Sequence, residues 1–510
     1  MNMRKLIVKY AVLSIVLLLV GCGKEAEYAK VVPADVDVVV TFDCQRMMDE
    51  SGLLSPDASD AQKKFLASFK KGLSAGESEF FDQLAANPSE TGIDWSQKVY
   101  GFYQAETGVT ALVMSVTDAD KLKATVLTFS GSKIRGRKFS EEGGISWAST
   151  RKYDIAVADQ ASVVILSYGD LKKEVLKARV AGWLTQSKED SFAASKYHDK
   201  LLGVDGEVAV YATMSQIPEK VSMLLNLAYS EEMDLGAMKY FAGISFEDGQ
   251  LVAQGEVLNE DKKVEEWLKS IEKVTHTLKG KSLEQLPKTT PFWCSIGLKG
   301  DKLYDAMLEH PTYGKQMQHM SLPLDIEGVI RSINGDVTLA YPSGLFIDVK
   351  NNEILKICVG AITTMGHFIG FDLKELDEDQ YEVIDQHRQV SRFLDKKDVQ
   401  LHTGMKDETF YLLTSAEGTE ELGEEASLAG TPWADDVDDN LLFIAYNFQD
   451  ENPLFDKYSK SRKSHNAIKA YLDYVTYSQK DFMTNRVVLS LKDKERNIIE
   501  QLIEFLCEIN

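Results

Sequence analysis

The segment Val208-Ala209-Val210-Tyr211-Ala212 has a counterpart 234 positions later, Leu442-Phe443-Ile444-Ala445-Tyr446. Both segments are apolar and rich in β-branched or aromatic residues, which is typical of a buried β-strand. The same offset superposes the last predicted helix of the chain on an earlier one. Three apolar positions in each helix form one stripe at helical spacing, with Ile498, Leu502 and Phe505 on Val264, Leu268 and Ile271. The two matches indicate that one structural plan occurs twice.

Further landmarks extend the match towards the beginning of each copy. The strand-like segment Phe292–Leu298 follows Val38–Cys44 by 254 positions, and Val337–Tyr341 corresponds to Val99–Tyr103. Because the offset falls from 254 to 234, the second copy lacks a net 20 residues between these landmarks. Chance similarity is the alternative, since strand–turn–helix patterns are common and identities are few. We expect a first repeat over residues 32–280 and a second over residues 285–510.

The order of elements within each copy predicts the fold class. Residues 240–246 and 251–258 form a predicted hairpin that turns on Glu247-Asp248-Gly249, and an amphipathic helix follows over residues 261–277. Tyr474 is the expected counterpart of Tyr240. Hairpins interleaved with helices predict an α+β fold of two related repeats, each an antiparallel sheet with helices packed on one face. Each closing helix is expected to pack on the hairpin of its own repeat.

The N-terminus has the features of a bacterial lipoprotein signal. Basic residues precede the apolar run Ala11–Val20, and Leu19-Val20-Gly21-Cys22 resembles a lipobox, in which the cysteine is acylated after cleavage. A transmembrane anchor is the first alternative, but the run has 10 residues where about 20 are needed to span a bilayer. A plain secretory signal is the second, and it normally ends in Ala-x-Ala. We therefore predict a signal peptide over residues 1–21, lipidation at Cys22 and a tether over residues 22–31.

The residues after Cys22 bear on localisation. Gly23 stands where an aspartate would resemble an inner-membrane retention signal, so an outer membrane lipoprotein is expected. Lys24, Glu25 and Glu27 partly resemble the acidic signal that sends some lipoproteins to the cell surface, or they form a solvated tether. A periplasmic and a cell-surface orientation both stay open.

Composition excludes some classes of partner. The net charge is −22, and removal of the basic signal segment makes the mature chain more negative. Such acidity argues against nucleic-acid binding, which depends on Lys and Arg at phosphates. Attachment to a membrane should therefore come from the lipid. The spacings of Cys44, Cys294, Cys358 and Cys507 fit no zinc motif, and we expect buried free thiols.

No local motif identifies catalytic residues, a cofactor or a metal site. The eight histidines form no metal-binding pair, and the acidic segment 435–439 lacks the glycine and the bidentate glutamate of a calcium loop. Aromatic side chains exposed near polar residues often bind sugars or peptides. By this criterion Trp147, Trp183 and Trp433 are the candidate ligand-binding residues.

Two motifs carry a family resemblance. Val32-Pro33-Ala34-Asp35 leads into an apolar strand and Phe42-Asp43, and Thr91-Gly92-Ile93-Asp94 leads to Val99-Tyr100-Gly101-Phe102. With the lipobox, this arrangement resembles a domain-of-unknown-function family of lipoproteins from gut Gram-negative anaerobes. The resemblance would cover nearly the whole mature chain. It implies export and a lipid anchor, and it supplies no activity and no catalytic residues.

We expect a lipid-anchored cell-envelope protein with a non-enzymatic binding or scaffolding role, whose partner is an envelope protein or a glycan. A groove between duplicated modules would be a natural binding site. The alternative is a hydrolase of an envelope or dietary polymer that assembles a carboxylate pair from distant loops. A purely structural envelope component is a third interpretation.

The lipobox predicts the effect of Cys22→Ala. Because the Cys22 thiol carries the acyl chains, the variant should leave the membrane fraction or accumulate there as an uncleaved precursor. Membrane fractionation with N-terminal sequencing measures both. A variant that is cleaved after Gly21 and still sediments with the outer membrane would contradict the lipoprotein interpretation.

Overall fold

Two short apolar strands, Val38–Phe42 and Phe292–Lys299, each lie between two antiparallel neighbours in the computed structural model. The structure describes residues 27–216, 235–310, 314, 325–394, 399–414, 420–448 and 462–509. The predicted signal peptide and Cys22 lie outside these ranges. The chain divides into two compact units, with residues 1–260 and 491–510 in unit 1 and residues 261–490 in unit 2.

Unit 1 contains an antiparallel sheet of ten strands in its described residues. The strands lie in the order β4-β5-β6-β7-β3-β2-β1-β8-β9-β10. Their bounds are β1 Val38–Phe42, β2 Val99–Gln104, β3 Val109–Ser115, β4 Ser140–Glu142, β5 Ile145–Ser149, β6 Asp154–Val157, β7 Ala161–Tyr168, β8 Val208–Thr213, β9 Met238–Glu247 and β10 Gln250–Asn259. The helices are α1 Cys44–Ser51, α2 Asp60–Lys70, α3 Ala75–Ala86, α4 Ala119–Ser130, α5 Lys173–Thr185, α6 Lys196–Leu202 and, at the end of the chain, α13 Ile498–Ile509.

Helices cover both faces of the unit 1 sheet. Successive strand residues point to opposite faces. Val163 belongs to the same buried cluster as Val180 of α5, and Val164 belongs to another cluster with Met48 of α1 and Leu122 of α4. The expectation that helices pack on one face is therefore wrong for unit 1. Its central strands are apolar on both sides, so each face needs its own cover.

Unit 2 repeats the strand order of unit 1. Its described strands follow the order β14-β15-β16-β17-β13-β12-β11-β18-β19-β20. Their bounds are β11 Phe292–Lys299, β12 Ile333–Tyr341, β13 Gly344–Val349, β14 Phe371–Asp377, β15 Gln380–Asp385, β16 Leu401–Lys406, β17 Thr409–Leu413, β18 Leu442–Asn447, β19 Leu472–Gln479 and β20 Thr484–Leu491. The helices are α7 Lys262–Val274, α8 Gly300–Glu309, α9 Ile326–Ser332, α10 Glu353–Ile369, α11 Gln389–Leu394 and α12 Arg462–Tyr471.

The strand registers also correspond. Val38 pairs with Ala212 in unit 1, and the offsets of 254 and 234 carry this pair onto Phe292 and Tyr446, which pair in unit 2. The next ladder differs by one residue. Ala212 pairs with Tyr240, whereas Tyr446 pairs with Val475. The expected equivalence of Tyr240 and Tyr474 is therefore wrong by one position.

The C-terminal boundaries of the two compact units differ from those of the predicted repeats. The last helix, α13, belongs to unit 1, where Ile503 is buried in a cluster with Met48 of α1. The Asn497 side chain just before α13 donates to the carbonyl of Phe246 in β9 at 2.7 Å. The expectation that Leu502 packs on the hairpin ending at Leu491 is wrong, because α13 lies against α1 and α2.

The closing helix of the first repeat shows the converse arrangement. Helix α7 belongs to unit 2, and the segment after it joins β11, where the His276 amide donates to the Gly297 carbonyl at 3.0 Å. A Cβ at Gly297 would lie 1.9 Å from the His276 carbonyl oxygen, so this close approach requires glycine. The expectation for Leu268 is likewise wrong, because α7 packs on α8 and β11. Within the described ranges, no helix has the length and apolar character needed to cross a bilayer.

A buried carboxylate, Asp336, fixes the loop that leads into β11, and a second one, Asp348, lies beside it. The Oδ2 atom of Asp336 accepts hydrogen bonds from the amides of Lys279 and Gly280 at 3.0 and 2.9 Å. The Oδ1 atom of Asp348 accepts one from the Thr409 hydroxyl at 2.8 Å. Burial raises the pKa of Asp336 above its usual value of 3.8, and the neighbouring charge of Asp348 raises it further. The hydrogen bonds from the two amides lower the pKa and offset part of this rise.

The raised pKa of Asp336 predicts how stability varies with pH. A carboxyl whose pKa is higher in the folded state contributes stability below its unfolded pKa, and this contribution is lost as pH rises through the folded value. Asn at position 336 keeps an oxygen for both amides and has no charge to bury. The free energy of unfolding of Asp336→Asn, relative to wild type, should therefore increase as the pH rises above about 4, the pKa of an unfolded aspartate.

Urea unfolding at several pH values measures this difference. Asp435→Asn is the matched control, because it removes one carboxylate at an exposed position of the same unit. A flat or falling difference for Asp336→Asn would show that the Asp336 carboxylate is not penalised by burial.

Candidate functional site

A groove of about 560 Å³ lies between helix α5 and the β4–β5 hairpin in unit 1. Helix α5 turns Leu176, Val180 and Trp183 towards the core, at the spacing of one helical face. The groove borders another face of α5, which carries small residues: Ala178, Ala181 and Gly182. Because these side chains are short, the helix leaves space beside the hairpin. The volume is within the range of small-molecule sites, about 300–1,000 Å³.

The hairpin supplies the apolar floor of the groove. Ile145 and Trp147 of β5 both line it and are both buried in the sheet. The Nζ atom of Lys177 lies 5.2 Å from the centroid of the Trp147 ring, a cation–π geometry. The ammonium group therefore covers one face of the indole, and the groove offers apolar contact beside a fixed positive charge.

Two lysines of α5 bring charge to the groove, and they are held differently. Lys173 donates to Asp154 at 3.0 Å and to the Ser149 hydroxyl at 2.6 Å, and the Asp154 side chain is buried. Lys177 pairs with Glu142 at 2.6 Å, and the Glu142 side chain is 65% exposed. An ion pair with such an exposed partner contributes about 0–1 kcal/mol. Lys173 is thus anchored, whereas Lys177 can exchange Glu142 for another anion at little cost.

The C-terminal end of the groove lies beside the start of the described chain. Thr185 lines the groove, and the Nε2 atom of the next residue, Gln186, donates to the Lys30 carbonyl at 2.5 Å. Lys30 belongs to the 3₁₀ turn Glu27–Val31. The predicted tether over residues 22–31 therefore ends in an ordered turn attached to α5.

The three candidate tryptophans are not exposed as the sequence analysis expected. Trp147, Trp183 and Trp433 are 5%, 6% and 0% exposed. Trp183 meets Phe102 edge to face at 5.3 Å, and the Trp433 indole donates to the Asn447 amide oxygen at 3.0 Å. Each ring completes a hydrophobic core. Only Trp147 also borders the groove, and its binding role stays a prediction.

Sequence reasoning missed the other groove residues. The residue pattern indicates a helix near residues 170–181 and a strand at residues 145–148, but no local pattern says that these two elements face each other. The available signal was the set of small residues on α5 beside two lysines. Small residues in a helix are also typical of close packing, so this signal alone does not indicate a groove.

The possible metal ligands and the thiols of the described residues were compared with the requirements of a metal site and of a reactive cysteine. Among them, no group of three or more His, Cys, Asp or Glu side chains is placed to hold a metal ion. The four cysteines within the described ranges are free thiols. Cys44 is buried as expected, and its burial raises its pKa, whereas Cys294, Cys358 and Cys507 are half-buried. The carboxylates of Asp336 and Asp348 are occupied by the hydrogen bonds that fix their loop.

Comparison with known proteins gives a family and no function. No curated protein matches the chain. Crystal form I of TP0453 aligns with a TM-score of 0.27 and 14% identity, over 48% of this chain and 86% of that one. Crystal form IV of TP0453 gives 0.28 and 16%, over 46% and 81%. The family model described as a domain of unknown function, DUF4836, matches residues 28–499, and the chain belongs to this family.

Proposed function

We propose that the protein is an exported, lipid-anchored component of the outer membrane with a non-enzymatic binding role, and that its ligand occupies the groove beside α5. The lipobox at Cys22 supports the anchor, and the orientation of the protein is periplasmic or towards the cell surface. We further propose that units 1 and 2 are related copies. Their identical strand order and the matching register of β1–β8 and β11–β18 support this relationship.

One observation carries the binding role: the groove depends on a helix of unit 1 that has no counterpart in the described residues of unit 2. Helix α5 lies between β7 and β8. In unit 2 the described residues between β17 and β18 contain only the short 3₁₀ turns Glu424–Ala426, Leu428–Gly430 and Ala434–Asp436. A shared scaffold therefore carries an added element in one copy, which is how binding sites are commonly built on a common fold.

The lining of the groove supports binding rather than catalysis. Its side chains provide an apolar floor, one anchored lysine, one lysine in an ion pair with the exposed Glu142, and a second glutamate, Glu174. Nucleophilic catalysis needs a nucleophile hydrogen-bonded to a base. No histidine or cysteine is among the residues that line the groove.

A filled groove tests the binding role directly. Nothing lies within 4 Å of a Cβ built at Gly182, so Gly182→Leu should place its side chain in the groove without disturbing the fold. Replacing a helical glycine also favours the helix by up to about 1 kcal/mol. Gly360→Leu in α10 is the matched control, because a Cβ built there likewise meets nothing within 4 Å.

The measurement is mass spectrometry of organic and aqueous extracts of each protein purified from native membranes. A small molecule that is retained by wild type and Gly360→Leu, and lost from Gly182→Leu, is the expected result. Equal amounts of every co-purified molecule in all three proteins would overturn the groove as the binding site. Fractionation of Cys22→Ala tests the anchor independently.

A further inference from the structure

We propose that the groove beside α5 binds one long-chain fatty acid, with its alkyl chain along Trp147 and its carboxylate on Lys177. This inference rests on the proposed binding role and names the ligand class.

The shape of the groove suits an unbranched chain. The lining residues of α5 run from Lys173 to Thr185, which spans about 18 Å at 1.5 Å per residue. The charged lining residues of α5, Lys173, Glu174 and Lys177, lie in its first half, and the small residues Ala178, Ala181 and Gly182 follow them, with Ile145 and Trp147 supplied by the hairpin. The part of the groove beside the small residues suits an alkyl chain, which gains free energy with every methylene it buries.

The charge beside this track suits a single carboxylate. Lys173 is already neutralised by the buried Asp154, whereas the partner of Lys177 is the exposed Glu142. A fatty-acid carboxylate can therefore replace Glu142 on Lys177 without leaving a buried charge unpaired. Such an exchange keeps the local charge balanced, because the displaced Glu142 carboxylate is already largely in water.

The same lysine argues against a sugar. Carbohydrates are held by stacking on an exposed aromatic face, but the Trp147 ring is buried and the Lys177 ammonium lies over it at 5.2 Å. An alkyl chain needs only the edge of the ring and the neighbouring methyl groups. The geometry thus favours an acyl ligand over the glycan that the sequence analysis considered.

The position of the groove suits a ligand drawn from a membrane. Gln186, next to the groove-lining Thr185, is hydrogen-bonded to Lys30. Glu27 is five residues beyond the predicted lipid anchor at Cys22, a reach of at most about 18 Å. The groove is therefore held close to the bilayer surface when the protein is anchored.

The test is quenching of tryptophan fluorescence by stearic acid carrying a nitroxide on its chain. It uses the full mature chain with and without the Cys22→Ala substitution. We expect saturable quenching at one ligand per chain. Gly182→Leu should weaken binding by about tenfold or more, whereas Gly360→Leu should bind like wild type. Trp147→Phe should remove most of the quenching while leaving binding measurable by calorimetry.

The role of the Lys177 charge is tested by comparing the fatty acid with the uncharged alcohol of the same alkyl-chain length. Wild type should bind the acid more tightly than the alcohol, and Lys177→Gln should lose this preference. The preference should also weaken as salt is added, because it depends on a partly exposed charge.

Several results would overturn the proposal. These are an absence of saturable quenching, equal binding by Gly182→Leu, and equal affinity of wild type for the acid and the alcohol. Binding to Cys22→Ala alone would show that the protein's own acyl chain occupies the groove. A glycan or peptide lost from Gly182→Leu in the extraction experiment would reject the fatty acid and leave the binding role intact.

Discussion

The rest of the structure depends on one central strand in each unit that pairs along both of its edges. Strand β1 lies between β2 and β8, and β11 lies between β12 and β18. A register slip of one residue would exchange the two faces of such a strand. Along each strand buried residues alternate with half-buried ones, so the register is fixed by which side chains enter the core. The preserved pairings of Val38 with Ala212 and of Phe292 with Tyr446 follow from this constraint.

The sequence analysis predicted what local pattern encodes. The apolar segments at residues 208–212 and 442–446 are strands, the hairpin turns on residues 247–249, and the α+β class is confirmed. The closing helices could not be assigned to a unit in the same way. An amphipathic stripe shows that α13 has an apolar face, but not which sheet receives it. The three tryptophans illustrate the same limit, because the small and polar neighbours of Trp433 indicate a loop while its indole is bonded to Asn447 in the core.

The groove lies beside an element found in one unit. Unit 1 has helix α5, with small residues on one flank, between β7 and β8, whereas the described residues between β17 and β18 of unit 2 contain only short 3₁₀ turns. The residues that shape the groove also stabilise the fold, since Trp147 belongs to the main core and Asp154 is buried under Lys173. Such dual use makes the groove preformed, and a preformed site loses little entropy when a ligand binds.

The central claim of this account is that α13 completes the core of unit 1. Hydrogen exchange of Ile503→Ala tests it most directly, because Ile503 is 6% exposed and its truncation should cost about 2–5 kcal/mol. The account predicts lost protection in α1 and α2, with β11 and β18 of unit 2 unchanged. Leu506→Ala, at a position that is 39% exposed, should leave all of these segments protected. Loss of protection in β18 and β19, with α1 and α2 unaffected, would contradict the account and return α13 to the second half of the chain.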